Sequence, residues 1–116
     1  MKSLLTIDHP VFCFRYLHPN HHLKDCTDGE KVALIERLVL LSKLSWSEIM
    51  MSPRHGIGSE KIALASLKTP IPVSFTEDVT FVLAFRFKDK APFVGYRNRF
   101  IFHILFIDRD FTLYDH

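Results

Sequence analysis

The run of residues 99–108, Arg-Phe-Ile-Phe-His-Ile-Leu-Phe-Ile-Asp, constrains the fold more than any other part of the chain. A strand turns alternate side chains to opposite faces, so Arg99, Ile101, His103, Leu105 and Ile107 should share one face, and Phe100, Phe102, Ile104, Phe106 and Asp108 the other. Both sets are largely apolar. Such a strand belongs in the middle of a sheet that is covered on both sides, or covered on one side and open at its ends. Residues 81–87, Phe-Val-Leu-Ala-Phe-Arg-Phe, read the same way. Arg86 and His103 interrupt these apolar runs, and function is expected where such Arg, His and Tyr side chains emerge.

The remaining elements follow from punctuation. A first strand is expected over 11–17, broken by Pro19-Asn20, and the polar segment 21–29 reads as a loop. Thr27-Asp-Gly-Glu30 has the spacing of a capping box, in which the hydroxyl accepts a free backbone N–H and the glutamate reaches back, so a helix is expected over about 29–44. Ser45-Trp-Ser-Glu48 repeats the box and predicts a short helix over about 46–52, ended by Pro53 and Gly56. A short strand over 63–67 and an extended link at Pro70 and Pro72 come next. Strands are then expected over 79–87, 93–96, 100–107 and 111–114, with a turn over 88–92 and a bend at Asn98. The order predicts a single α+β domain over 1–116: an N-terminal strand, two helices, then an antiparallel β-meander with the helices packed on one face. No internal repeat, low-complexity tract or linker is visible.

Composition limits what such a domain can be. With 116 residues it can bury roughly two-thirds of its unfolded surface without staples. An apolar share of 47% with 11 phenylalanines excludes disorder. Its apolar segments stop short of the roughly 18 residues a membrane span needs, and no leader pattern opens the chain, so a soluble cytoplasmic protein is expected. The two cysteines, Cys13 and Cys26, make no disulfide framework and are expected to be reduced. Dinucleotide-binding, P-loop, Cys-x-x-Cys and nucleophile-elbow motifs are absent, and no cofactor is expected.

The net charge of +2 hides a local cluster: Arg86, Lys88, Lys90, Arg97 and Arg99 lie within fourteen residues that hold one acid, Asp89. A basic hairpin of this kind can hold phosphates, and it is also how a solvated sheet edge is composed. Arg54-His-Gly-Ile-Gly-Ser-Glu-Lys61 is the most site-like loop, since its glycines allow close backbone approach to an anion and His55 titrates near neutrality. The same glycines also serve as helix terminators. Arg86, Tyr96, Arg97, Arg99, His103, Tyr114 and His116 can converge on one sheet, where arginines would stabilise a phosphate and His or Tyr would move protons without a metal. Equally, His103 can be a core histidine, with the arginines paired to Asp89, Asp108 and Asp110. His18, His22 and Cys26 have a ligand-like spacing, although Pro19 and Asn20 oppose a helix there and no second ligand cluster is apparent. Asp108-Arg-Asp110 reads as a strand-end turn.

Phe93-Val-Gly-Tyr-Arg97, followed by Phe102-His-Ile-Leu-Phe-Ile107 and Phe111-Thr-Leu-Tyr114, resembles the Tyr-Arg strand and following hairpin of the RelE/HigB/ParE toxin superfamily, and the order of elements over residues 11–115 is similar. The resemblance implies a metal-independent endoribonuclease toxin of a toxin–antitoxin system, acting on RNA or the ribosome and silenced by an antitoxin protein. Arg97 would lead catalysis, with His55, Lys61, Arg86 and His103 beside it; Arg54, Lys88, Lys90, Tyr96 and Arg99 are the RNA-binding candidates. The chain departs from that pattern in its Tyr114-Asp-His116 terminus, its low net charge and its loop from Pro53 to Pro72. A second expectation is a non-enzymatic interaction module, phage- or defence-related, whose aromatics Trp46, Phe93 and Phe111, or whose sheet edge, bind a protein partner or a second copy as a homodimer. Nucleic-acid binding without cleavage is the third.

Overall fold

The computed structural model describes residues 7–53, 56–71 and 79–115. Both capping boxes form. In α1 (Asp28–Ser42) the Thr27 hydroxyl accepts from the Glu30 N–H at 3.2 Å, and the Glu30 carboxylate accepts from the Thr27 N–H at 2.7 Å. In α2 (Trp46–Met51) Ser45 and Glu48 do the same at 3.1 and 3.0 Å. The Arg109 Nε–H also donates to Glu30 at 2.9 Å. These donors hold the Glu30 carboxyl below its usual pKa, the backbone bond from Thr27 first.

Five strands make one sheet in the order β1-β5-β4-β3-β2, with β1 at Val11–Cys13, β2 at Glu60–Ala63, β3 at Phe81–Lys88, β4 at Ala91–Asn98 and β5 at Ile101–Ile107. The fold is α+β, as expected, with a mixed sheet: β1 lies parallel to β5 while β2 to β5 form an antiparallel meander. Four local expectations change. The first strand ends at Cys13, residues 64–66 form a 3-10 turn after β2, Asn98 closes β4 instead of bending, and residues 111–114 are not a strand. That C-terminal segment is held by Asp108, a buried carboxylate that accepts from the Thr112 N–H at 3.0 Å and the Leu113 N–H at 2.9 Å. Asp108→Ala strands both donors, one of them buried, and is expected to cost about 2–4 kcal/mol in urea unfolding; a loss under 0.5 kcal/mol would show the segment is held otherwise.

Both faces of the sheet are covered. On one, Leu34, Leu38 and Leu41 of α1 and Trp46 and Ile49 of α2 pack on Leu83, Phe85, Phe93 and Phe102. The ring of Phe85 stacks on Phe93 at 5.4 Å and meets Phe102 edge-on at 5.3 Å. On the other face, Ile62, Val82, Val94, Leu105, Phe106, Leu113 and Tyr114 form a second cluster. Strict alternation fails in β5. Val94 pairs with Phe106 and Gly95 with Ile104, leaving Leu105 as an extra residue on that strand. Beyond it the faces exchange, so Phe106 lies with Leu105 while Ile107 joins Phe102 and Ile104 under the helices.

Candidate functional site

The basic residues of 86–99 separate. In an antiparallel hairpin, residues of the turn lie at one end of the strands, so Lys88 and Lys90 flank the β3–β4 turn while Arg97 and Arg99 sit at the β4–β5 turn, at the opposite end. Arg86 lies near the first of these, half-buried on the face away from the helices beside Glu60 and Tyr114, in a niche of only about 10 Å³. The single basic hairpin expected from sequence is therefore two separate groups. Arg54, His55 and His116 lie outside the described residues.

Arg97 is held in place on the helical face. Its guanidinium carbon stands 4.2 Å from the centre of the Trp46 ring, and its Nε–H donates to the Arg99 carbonyl at 2.7 Å. That carbonyl is presented by a tight turn in which Arg99 takes the left-handed conformation, φ 59°. The indole is itself fixed: its Nε1–H donates to the Phe100 carbonyl at 2.9 Å, and the Trp46 backbone N–H donates to the Asp8 carbonyl at 2.7 Å. Burial pushes the Arg97 pKa down from its ordinary value, yet a guanidinium keeps its charge at every physiological pH.

Lys61 belongs to the same end of the sheet. It pairs with Leu83 and carries its ammonium 4.8 Å from the centre of the Phe81 ring. Met50, Lys61, Phe81, Tyr96 and Arg97 line a cleft of about 430 Å³ whose described lining contains no carboxylate. On the far side of Arg97 a shallower depression of about 310 Å³ continues past Trp46 to Arg99 and Asp8. Two cations laid on aromatic rings, beside a tyrosine, suit a ligand that combines phosphate charge with flat apolar rings.

His103 is placed behind this cleft instead of in it. Its ring stacks on Tyr96 at 6.4 Å and 13°, and meets Tyr16 on the other side at 5.8 Å. Burial pushes its pKa below the ordinary imidazole value; His18, stacked on Phe106 at 5.6 Å, is lowered by burial and then by the neighbouring His21. The fold therefore favours both neutral imidazoles. Their contribution to stability is full above the unfolded value near 6.5 and is lost as pH falls through it toward the lower folded values. The melting temperature is expected to fall between about pH 7 and pH 5, more steeply than in a His18→Gln, His103→Gln variant; identical profiles for the two proteins would refute the assignment.

Among the described residues no three His, Cys, Asp or Glu side chains converge as metal ligands. The spacing of His18, His22 and Cys26 is not assembled into a site: His18 Nδ1 accepts from the Asn20 N–H and His22 Nδ1 from the Lys24 N–H, both at 3.1 Å, while Cys26 is in the core. Cys13 and Cys26 are free thiols. The aromatics expected to be exposed for a partner are not: Trp46 and Phe93 are buried and Phe111 is half-buried. No described helix is long and apolar enough to cross a membrane. No family model matches the chain, and neither a curated protein nor a solved structure matches it.

Proposed function

We propose that the protein acts on RNA and that the cleft at the β4–β5 end of the sheet is where single-stranded RNA binds. One observation carries the reading: Arg97 and Lys61, each set against an aromatic ring, line one cleft with Tyr96 and without a described carboxylate. Phosphates would be held by the two cations, and bases would stack against Tyr96 and the exposed Phe81. Cleavage is the further step of the same reading. Arg97 would balance the charge that builds on a phosphate under attack, and Tyr96, which lines the cleft, is better placed than His103 to move a proton. This is the chemistry of the toxin resemblance, in which a partner protein would keep the enzyme silent.

The test separates binding from cleavage. Purified protein is titrated with a fluorescent single-stranded RNA at several salt concentrations, and the chain is induced in bacterial cells while growth and total RNA are followed. Micromolar affinity that weakens steeply with salt supports the RNA site, and growth arrest with fragmented RNA adds cleavage. Absence of RNA binding at low salt, with growth unaffected, would end the proposal in both forms.

The interaction-module reading keeps a specific observation of its own: Val32, Ile35 and Val39 stand exposed on α1.

A further inference from the structure

Helix α1 is apolar on two sides. Leu34, Leu38 and Leu41 are buried against the sheet, whereas Val32, Ile35 and Val39 are 56%, 51% and 49% exposed. Spacings of three and four residues put these last three on one ridge. One step further along the same ridge lie Asp28, in the first turn, and Lys43, at the C-cap. The ridge therefore reads acid, three β-branched apolar residues, base, in the pattern of a helix-pairing seam.

A helix needs only one apolar side to dock on its own sheet, and polar residues on the outer side would serve as well. A second apolar ridge fits a helix that is covered again from outside, and no described residue covers it. The charges at its ends identify what fits. In an antiparallel arrangement about a two-fold axis passing beside Ile35, Val32 meets Val39 of a second copy and Asp28 meets its Lys43. The two helix dipoles then also oppose one another. A parallel arrangement would set Asp28 on Asp28 and Lys43 on Lys43. The surface is thus complementary to itself in one orientation, which is the requirement of a closed two-fold dimer.

We propose that α1 is a self-association face, on which a second copy of the chain packs antiparallel through Val32, Ile35 and Val39, with Asp28 of each copy against Lys43 of the other. The interface is narrow, so the dimer should dissociate on dilution. It does not rest on the RNA reading, because none of these residues lines the cleft.

Sedimentation velocity over a concentration series tests it on the full chain. The wild-type mass should rise from 13.6 kDa toward twice that value. Ile35→Asp should weaken association by about 100-fold, since the two-fold axis buries the new charge twice, while its circular dichroism and melting temperature stay near wild type because the position is exposed. Asp28→Lys alone should weaken the dimer by about 3- to 10-fold, and Asp28→Lys with Lys43→Asp should recover it. Three results would overturn the inference: a wild-type chain that stays monomeric, which would leave the ridge to a partner of another kind; a dimer that survives Ile35→Asp; or a double reversal no better than the single one.

Discussion

Gly95→Val is expected to remove most of the stability of the fold. Gly95 lies in β4 opposite Ile104, next to the bulge at Leu105, where the backbone of β5 leaves no room for a side chain. A Cβ at this position would fall on the His103 carbonyl oxygen, and the Phe102 ring would be within 2.9 Å of it. Neither obstacle can give way cheaply. The carbonyl is backbone of the central strand, and the Phe102 ring is fully buried among Trp46, Phe85 and Phe93. Relief would require moving β5 off β4 or ejecting an aromatic ring from the core, so the loss should be about 4 kcal/mol or more, a large part of the stability of a domain this size. Gly29→Ala is the contrasting substitution. A Cβ there meets only the Lys88 Nζ at 3.5 Å, and the position is in the first turn of α1, so the change should stabilise by up to about 1 kcal/mol. Urea unfolding of the two variants measures both effects. If Gly95→Val keeps a wild-type midpoint, the close approach of β4 and β5 is wrong.

The same bulge marks the limit of what the residues alone disclose. Features set by neighbours in sequence were legible: Thr27 with Glu30 and Ser45 with Glu48 define both helix starts to within a residue or so. The alternation of β3 was legible too, because Leu83, Phe85 and Phe87 keep to the helical face and Val82 and Ala84 to the other, the register with β4 shifting only past Arg86. In β5 the pattern holds only as far as Leu105 and fails at Phe106, since an extra residue is invisible in a run where almost every position is apolar. The parallel pairing of β1 with β5 joins residues about ninety apart, and no local signal distinguishes it from a longer free-standing strand. The site was partly legible for the same reason. Arg97, Lys61 and Tyr96 were recognisable as candidates by residue type, and the structure does bring them to one cleft. Separating Arg86, Lys88 and Lys90 from them required knowing that the hairpin turns put these groups at opposite ends. By sequence Trp46 suits an exposed anchor for a partner, whereas its ring is buried as the platform under Arg97, and residues 51 positions apart carry no sequence mark of that contact.

Arg97→Glu should therefore be the most damaging single change to RNA binding, and it decides between a defined cleft and a diffusely basic surface. The guanidinium is held from two sides, by the Trp46 ring and by the Arg99 carbonyl, and so loses little freedom when it meets a phosphate. On the RNA reading, reversing its charge would remove one phosphate contact and set a carboxylate in a cleft whose described lining has none. The affinity for single-stranded RNA should fall by at least about 10-fold near 0.15 M salt, and the slope of log affinity against log salt should become shallower by about one. Arg97→Ala should produce a similar change in slope with a smaller loss. Lys90→Glu is the matched control: it alters net charge identically, is exposed, and lies at the other end of the sheet, well beyond the screening length of about 8 Å at that salt. Its effect on affinity should stay within about two-fold. Equal losses from Arg97→Glu and Lys90→Glu would mean that net charge alone attracts the RNA, and the cleft would lose its role; a loss confined to Arg97 makes the aromatic-backed cations the binding site.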